Sequence, residues 1–235
     1  YILYVNGKEY TGDPAVGSSK EEQSMNSKKT DTGAVTEADN TEVKAAKPVV
    51  TETGTPYDNH GKLSVNGTDI VDKDGNKYQL KGVSTHGITW FPEYVNKDAF
   101  ASVRDDWGAN LIRLAMYTDT GDSNGYCSGG DKDSIRSIVD SGVSAATELG
   151  MYVIIDWHIL NDGDPNIHID DAEQFFADMS VKYADYGNVI YEICNEPNGG
   201  TTWDSVKKYA EQIIPVIRKN AEDAIIIVGT PNWSQ

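Results

Sequence analysis

Apolar residues recur along the chain with two alternating periods, one typical of strands and one typical of helices. The strand-like segments are 80–84, 109–117, 151–158, 189–195 and 224–229. Between them, apolar residues at helical spacing predict helices over 98–107, 132–149, 170–186 and 203–220. The segment 151–158 is apolar on both faces, as in a parallel sheet covered on each side. The alternation predicts βα units and a parallel sheet.

Before the first of these strands, the pattern divides the chain into three parts. Residues 1–11 alternate like a strand, and we interpret them as the tail of an upstream module. Residues 12–56 contain no aromatic residue and no Leu, Ile or Phe, so they bury too little apolar surface to offset their ordering entropy. We therefore predict a disordered linker over 12–59 and an ordered domain over 60–235, which begins with a hairpin turning at Asn66-Gly67.

Polar and aromatic side chains cluster where the predicted strands end. They are His86, Arg113 with Tyr117, His158, Asn195 with Glu196, and Trp233. Chemistry contributed by many strand ends is typical of the (β/α)8 TIM barrel. An open doubly wound sheet would carry a Gly-rich phosphate turn after its first strand, and the sequence has none there. The α/β fold that we predict is a (β/α)8 barrel with its first five βα units in this chain, which looks truncated at both ends.

The formal net charge is −17, from 37 acidic and 20 basic residues. Such a charge argues against binding to nucleic acid or to an anionic membrane surface, and it fits a secreted protein that acts on a neutral substrate. No apolar segment is long enough to span a bilayer. The four histidines lack the paired spacing of metalloproteases, so we expect no metal site and no cofactor. We expect Cys127 and Cys194 to be free thiols, with a disulfide as the alternative.

The sequence Tyr191-Glu192-Ile193-Cys194-Asn195-Glu196-Pro197-Asn198-Gly199 resembles the Asn-Glu-Pro signature of glycoside hydrolase family 5. Its flanking residues are similar to those of the endoglucanase subfamily 2. Further motifs that resemble the family follow in the expected order at residues 81–91, 110–117, 156–158 and 227–235. The resemblance covers roughly 63–235 and implies a retaining endo-β-1,4-glucanase, which hydrolyses internal bonds of cellulose or a related β-glucan.

The resemblance also implies catalytic roles for four residues. Glu196 matches the general acid/base and Arg113 matches the residue that orients the nucleophile. His158 matches a residue that contacts the sugar, and Asn195 can donate a hydrogen bond to the sugar 2-hydroxyl. The residues alone leave alternatives open: Glu196 as a strand-end carboxylate held locally, and Arg113 as a structural partner of Asp156 or Glu192.

Aromatic residues supply the expected substrate platform. In the resemblance, His86 and Trp90 match residues that line the sugar subsites, and Trp233 matches a stacking residue. Phe91 and Tyr117 are assigned to the same substrate-binding set. Aromatic rings of this kind stack against the CH faces of sugars.

A retaining mechanism needs a second carboxylate, and the family carries it on the seventh strand, which this sequence does not contain. We therefore expect the 235-residue chain to be inactive by itself. A β-mannanase or a mixed-linkage glucanase is the nearest alternative activity, and a non-catalytic carbohydrate-binding barrel is the alternative from another class. The expected partners are the polysaccharide and an upstream module, and the expected location is extracellular.

Overall fold

A computed structural model describes the backbone of Ile2–Val5 and Lys8–Glu9 and all of residues 52–235. The elements in chain order are β1 Ile2–Val5, β2 Lys8–Glu9, α1 Pro56–His60, β3 Ser64–Asn66, β4 Asp69–Val71, β5 Gly82–Ser84, α2 Lys97–Trp107, β6 Leu111–Tyr117, α3 Lys132–Glu148, β7 Tyr152–His158, α4 Ile169–Lys182, β8 Val189–Cys194, α5 Trp203–Arg218, β9 Ile226–Val228 and α6 Pro231–Ser234. Short 3-10 turns cover Pro92–Tyr94 and Pro165–His168.

Strands β5 to β9 form a parallel sheet in which neighbours in the chain are also neighbours in space. The longest pairing joins β6 to β7 from Leu111↔Tyr152 to Tyr117↔His158. Helices α2 to α5 connect consecutive strands, as parallel pairing requires. The described strands and helices therefore confirm the predicted βα repeat and fit the first five units of a (β/α)8 barrel.

One edge of this sheet differs from the sequence-based expectation. The strand order is β2-β1-β9-β8-β7-β6-β5, and β1 pairs antiparallel with β9 through Ile2↔Val228 and Leu3↔Ile227. Residues 1–11 were interpreted as the tail of an upstream module, yet β1 covers the outer edge of β9, which the five βα units alone would leave unpaired. An open edge presents a row of unpaired N–H and C=O groups, which an extended segment such as β1 can pair with.

The two faces of the sheet bury different sets of residues. On one face, alternate strand residues such as Leu114, Ile155 and Ile193 pack against the helices in the larger apolar core. On the other face, Tyr152 and Ile190 belong to a second, smaller core. That second face becomes polar toward the carboxyl ends of the strands, because the alternation that places Tyr152 inward also directs later residues of β7 to the same side.

The predicted hairpin lies over the apolar part of the second face. Val65 of β3 and Ile70 of β4 pair with each other and pack against the smaller core. The Tyr152 hydroxyl donates to the Gly61 carbonyl at 2.7 Å, which ties β7 to the segment before the hairpin. The hairpin thus covers the amino-terminal end of the sheet and leaves its carboxyl-terminal end for the polar residues.

The linker boundary predicted at residue 59 falls inside helix α1. The Thr55 hydroxyl accepts from the Asp58 N–H at 3.2 Å, and the Asp58 carboxylate accepts from the Thr55 N–H at 3.2 Å. This reciprocal capping box stabilises a helix start in a segment whose composition resembled the linker. The ordered domain therefore begins before residue 60, whereas residues 12–51 of the predicted linker lie outside the described residues.

Two smaller expectations concern the cysteines and the membrane. Cys127 and Cys194 are both free thiols, which confirms the interpretation that we favoured over a disulfide. Among residues 52–235, no helix combines the length and the apolar character that crossing a membrane requires.

Candidate active site

Arg113 organises the polar end of the second sheet face. Its Nε and Nη2 donate to the two carboxylate oxygens of Glu192 at 2.7 and 2.9 Å. Nη2 also lies 2.8 Å from Asp156 Oδ2 and donates to Asn195 Oδ1 at 2.7 Å. The register explains the contact, because β6, β7 and β8 are adjacent and Asp156 pairs with Glu192 across them. The sequence analysis left open a pair of Arg113 with Asp156 or Glu192, and Arg113 in fact forms an ion pair with each of them.

His158 and Asn195 extend this network toward the strand ends. His158 Nδ1 lies 2.6 Å from Asp156 Oδ2, and Asn195 Nδ2 lies 3.1 Å from His158 Nε2. The amide N–H can only donate, so Nε2 accepts it and the N–H at Nδ1 faces Asp156. Asp156 therefore fixes the ring of His158, and His158 in turn fixes the side chain of Asn195.

The amide of Asn195 is left with one weakly used hydrogen. Its Oδ1 is taken by Arg113, and one N–H is taken by His158. Within residues 52–235, the other N–H has only the Ile159 carbonyl at 3.5 Å, which is the long limit for a hydrogen bond. That N–H is the group available for a sugar hydroxyl, as the expected role of Asn195 requires.

Glu192 is a buried acid with a shifted pKa. Burial and the negative charge of Asp156 raise the pKa of Glu192 to about 7, against the opposing effect of Arg113. The group is fully enclosed between β7 and β9 and is not open to substrate. We therefore interpret Glu192 as a structural acid.

Replacing Glu192 by Gln should flatten the pH dependence of stability. A carboxyl whose pKa is raised on folding contributes stability that is complete below its unfolded pKa, near 4.5, and is lost as the pH rises through about 7. Unfolding by urea, followed across this interval, should show the wild-type stability falling faster with pH than that of E192Q. The exposed Glu148→Gln is the matched control and should keep the wild-type slope. Equal slopes for wild type and E192Q would contradict the assignment.

Glu196 follows this network directly and faces solvent. The backbone that carries it is held on two sides: Gly229 N donates to Cys194 O at 2.9 Å, and the Ser234 hydroxyl donates to Asn195 O at 2.9 Å. A Cβ at Gly229 would lie 2.1 Å from Asn195 O, so only glycine permits this close approach. The sharp change from buried Asn195 to exposed Glu196 places a carboxylate at the mouth of the site.

An aromatic cluster lies beside the network, formed by His86, Trp90, Phe91 and Tyr117. The His86 ring lies 5.2 Å from Trp90, 5.5 Å from Phe91 and 6.1 Å from Tyr117 between centroids. Tyr117 joins it to His158 at 4.0 Å. Burial raises the pKa of the Tyr117 hydroxyl, with smaller contributions from the charges of Asp156 and Glu196. The structure therefore brings these predicted substrate residues together beside His158.

Two local features shape the cluster. A Cβ at Gly87 would lie 2.5 Å from the Trp90 ring and 3.0 Å from the Tyr117 ring, so glycine lets the two rings approach. The Gly87 N–H donates to His86 Nδ1 at 2.8 Å, which leaves the His86 proton on Nε2 as a donor. Phe91 is 45% exposed, as a platform for a ligand would be.

Trp233 lies apart from that cluster. Its backbone N–H donates to Pro197 O at 3.1 Å, so its backbone contacts the residue that follows Glu196. The residue is 56% exposed, and within residues 52–235 it makes no ring contact with the aromatic cluster. The predicted stacking residues thus fall into two separate groups.

The sequence analysis did not identify Ser84 as a site residue, and it identified only one of the two contacts that Asp156 makes in the site. Ser84 Oγ accepts from Arg113 Nη1 at 3.1 Å. Asp156 was considered only as a partner for Arg113, yet it also holds His158. The sequence did contain a signal for the contact between Asp156 and His158. The two residues are two positions apart on β7, and such residues of a strand lie on the same face.

Comparison with known proteins agrees with this geometry. The family model described as cellulase (glycosyl hydrolase family 5) matches residues 71–235. The chain is 57% identical to endoglucanase A of Butyrivibrio fibrisolvens over 177 residues, which cover 74% of this chain and 40% of that protein. It is 50% identical to endoglucanase N of Pectobacterium atrosepticum, over 77% of this chain and 40% of that protein. The chain therefore spans about two fifths of the length of these relatives.

Solved structures show the same similarity. The cellulase Cel5C_n matches with a TM-score of 0.74 and 47% identity, over 78% of this chain and 58% of that one. The catalytic domain of endoglucanase Cel5A from Thermobifida fusca, solved in complex with cellotetraose, matches with a TM-score of 0.73 and 44% identity, over 77% and 57% of the two chains.

Proposed function

The chain belongs to the cellulase family, glycosyl hydrolase family 5, and from that membership we propose the activity of a retaining endo-β-1,4-glucanase with Glu196 as general acid/base. The observation that carries the proposal is Glu196, an exposed carboxylate that directly follows Asn195 of the Arg113 network and whose charge acts on Tyr117 of the aromatic cluster. A carboxylic acid at a strand end, beside aromatic surfaces for sugar rings, is what glycoside hydrolysis in a barrel requires.

In the proposed reaction, Glu196 donates a proton to the glycosidic oxygen as the bond breaks. The free N–H of Asn195 donates to the sugar 2-hydroxyl, and this bond strengthens as the oxocarbenium-like transition state develops. Arg113 and His158 hold Asn195 in the orientation that this requires. We assign these two residues to positioning Asn195.

The proposed mechanism needs a second carboxylate, about 5–5.5 Å from the first. Asp156 and Glu192 are both bound to the guanidinium of Arg113, so we assign neither of them to nucleophilic attack. In line with the family resemblance, we propose that a glutamate of the seventh barrel strand acts as the nucleophile.

The proposed substrate is a neutral β-glucan polymer such as cellulose. Supporting it are the exposed rings at the site, the acidic charge of the chain, and relatives that are named endoglucanases. A polymer of this size does not enter cells, so the proposed location is extracellular. An upstream module joined through residues 12–51 remains part of the proposal.

A chimaera tests the activity directly. Residues 53–235 would replace the matching segment of endoglucanase A from Butyrivibrio fibrisolvens, and reducing ends would be measured on carboxymethylcellulose, mannan and mixed-linkage β-glucan. We expect release from carboxymethylcellulose that approaches the rate of the unaltered relative. Release from mannan alone would overturn the substrate. A folded chimaera that binds cello-oligosaccharides without hydrolysing any of the polymers would point to a carbohydrate-binding barrel.

A further inference from the structure

Three side chains with metal-ligand chemistry meet at one point outside the candidate active site. Cys127 lies in the loop between β6 and α3, His168 ends the short turn before α4, and Asp171 lies in the first turn of α4. Each residue offers one ligand atom: a sulfur, a ring nitrogen and a carboxylate oxygen. These three atoms lie within 4.8 Å of one another. The site therefore combines residues from two separate loops.

His168 supplies an independent observation. Its Nε2 atom is buried and has no hydrogen-bond partner within residues 52–235. A buried polar atom that lost its water without gaining a partner destabilises the folded chain, so such an atom calls for a group that occupies the site. A metal ion bound by the imidazole would account for the position of His168.

We propose that Cys127, His168 and Asp171 bind a divalent metal ion of the zinc class, with water as the fourth ligand. Thiolate, imidazole and carboxylate together suit Zn²⁺ or Co²⁺ and do not suit Ca²⁺ or Mg²⁺, which prefer oxygen ligands. Tetrahedral zinc bonds of about 2.0–2.3 Å put ligand atoms about 3.3–3.8 Å apart. The three atoms, within 4.8 Å, reach that spacing by small side-chain rotations.

The surrounding charges set the conditions for binding. Burial and the negative charge of Asp171 raise the pKa of the Cys127 thiol, so the thiol proton must leave to solvent when the metal binds. Asp171 also pairs with Lys132 at 2.5 Å, and that ammonium group competes with an incoming cation. Asp162 adds a further negative charge near both Cys127 and His168. An incoming metal ion and the Lys132 ammonium group therefore compete for the Asp171 carboxylate.

The metal would join two loops of the candidate catalytic face. Cys127 follows Tyr126, whose ring packs against Trp157 and Phe175 in the core. Linking Cys127 to the start of α4 would fix the loop after β6 against the loop after β7. The role is structural and distinct from the proposed hydrolysis. The spacing of the histidines does not indicate this metal site, because its ligands come from different elements. Only His168 and Asp171, three residues apart, lie together at the start of α4.

Metal titration of the 235-residue chain tests the proposal. The chain is stripped with a chelator, and Zn²⁺ is added in competition with a chromophoric chelator; Co²⁺ is added in a parallel experiment. We expect one tightly bound ion per chain and, with Co²⁺, the near-ultraviolet charge-transfer band of a thiolate ligand. Thermal unfolding should shift upward with Zn²⁺.

Three variants identify the ligands. Cys127→Ser should abolish the charge-transfer band although Cys194 remains, while His168→Gln and Asp171→Asn should each weaken Zn²⁺ binding by at least about 10–100-fold, the range that even outer-shell partners are worth. Asp170→Asn, an exposed neighbour on the same helix, is the control and should bind normally. Absence of stoichiometric binding, or a cobalt band that survives in Cys127→Ser, would overturn the proposal.

Discussion

Replacing Glu196 by Gln is expected to lower hydrolysis of a β-glucan polymer by about 10²–10⁴-fold, the usual worth of a general acid. Gln has nearly the shape of Glu but cannot donate a proton to the leaving oxygen. The residue is exposed at the strand end, so the substitution should leave the stability of the domain nearly unchanged. The measurement is the rate of reducing-end release by the chimaera described above, with and without the substitution.

A second substrate separates loss of the acid from general damage. An aryl glycoside with a very good leaving group needs no proton in the first step, so that step should suffer much less than polymer hydrolysis. Glu211→Gln, an exposed change on α5, is the matched control and should retain full activity on both substrates. Near-normal polymer hydrolysis by the Glu196 variant would show that another group is the acid.

The sequence predicted the repeat of strands and helices well, because period and strand-end chemistry are local signals. Residues 151–158 illustrate this: an apolar segment on both faces was expected to be a covered parallel strand, and β7 is buried along its whole length. Helix ends were less accurate. The helix predicted over 170–186 was expected to reach Tyr186, yet α4 ends at Lys182, and beyond it the rings of Tyr183 and Tyr186 pack on each other.

Contacts between distant segments could not be predicted in the same way. The pairing of β1 with β9 joins residues more than two hundred positions apart, and nothing in the local pattern indicates which edge β1 would meet. The capped helix α1 was hidden because its Thr, Pro and Asp residues also characterise linkers. The composition of a segment indicates whether it can bury apolar surface. It does not indicate whether two residues will form the reciprocal hydrogen bonds of a helix cap.

In the candidate site, too, the local features were predictable and the contacts between distant residues were not. The residues at strand ends were identified individually, and their order along the sheet made it clear that they would share one edge. How they are joined was not visible: Arg113 was expected to have one carboxylate partner and binds two, together with Asn195 and Ser84. The guanidinium has five N–H donors in one plane, and in an enclosed site these donors need acceptors from the protein. It therefore binds several side chains at once.

Replacing Arg113 by Met is expected to destabilise the chain by about 3–5 kcal/mol, the cost of removing one partner from a buried ion pair. The variant would leave the carboxylates of Asp156 and Glu192 enclosed in the sheet without a counter-charge. Since a domain of this kind has about 5–15 kcal/mol of stability in total, the loss would consume much of it. Urea unfolding of the wild-type and variant chains measures the difference.

The same network predicts two ways of reducing that loss. At a pH high enough to ionise Glu192, adding Glu192→Gln to Arg113→Met removes one uncompensated charge, so the double variant should be more stable than the single one. Lower pH should act in the same direction, because carboxyls without the guanidinium have raised pKa values and become neutral sooner. Lys97→Met breaks an exposed pair with Glu148 and should cost no more than about 1 kcal/mol. If Arg113→Met cost as little as this surface control, the carboxylates would not depend on Arg113, and its remaining contact with Asn195 would be its principal role.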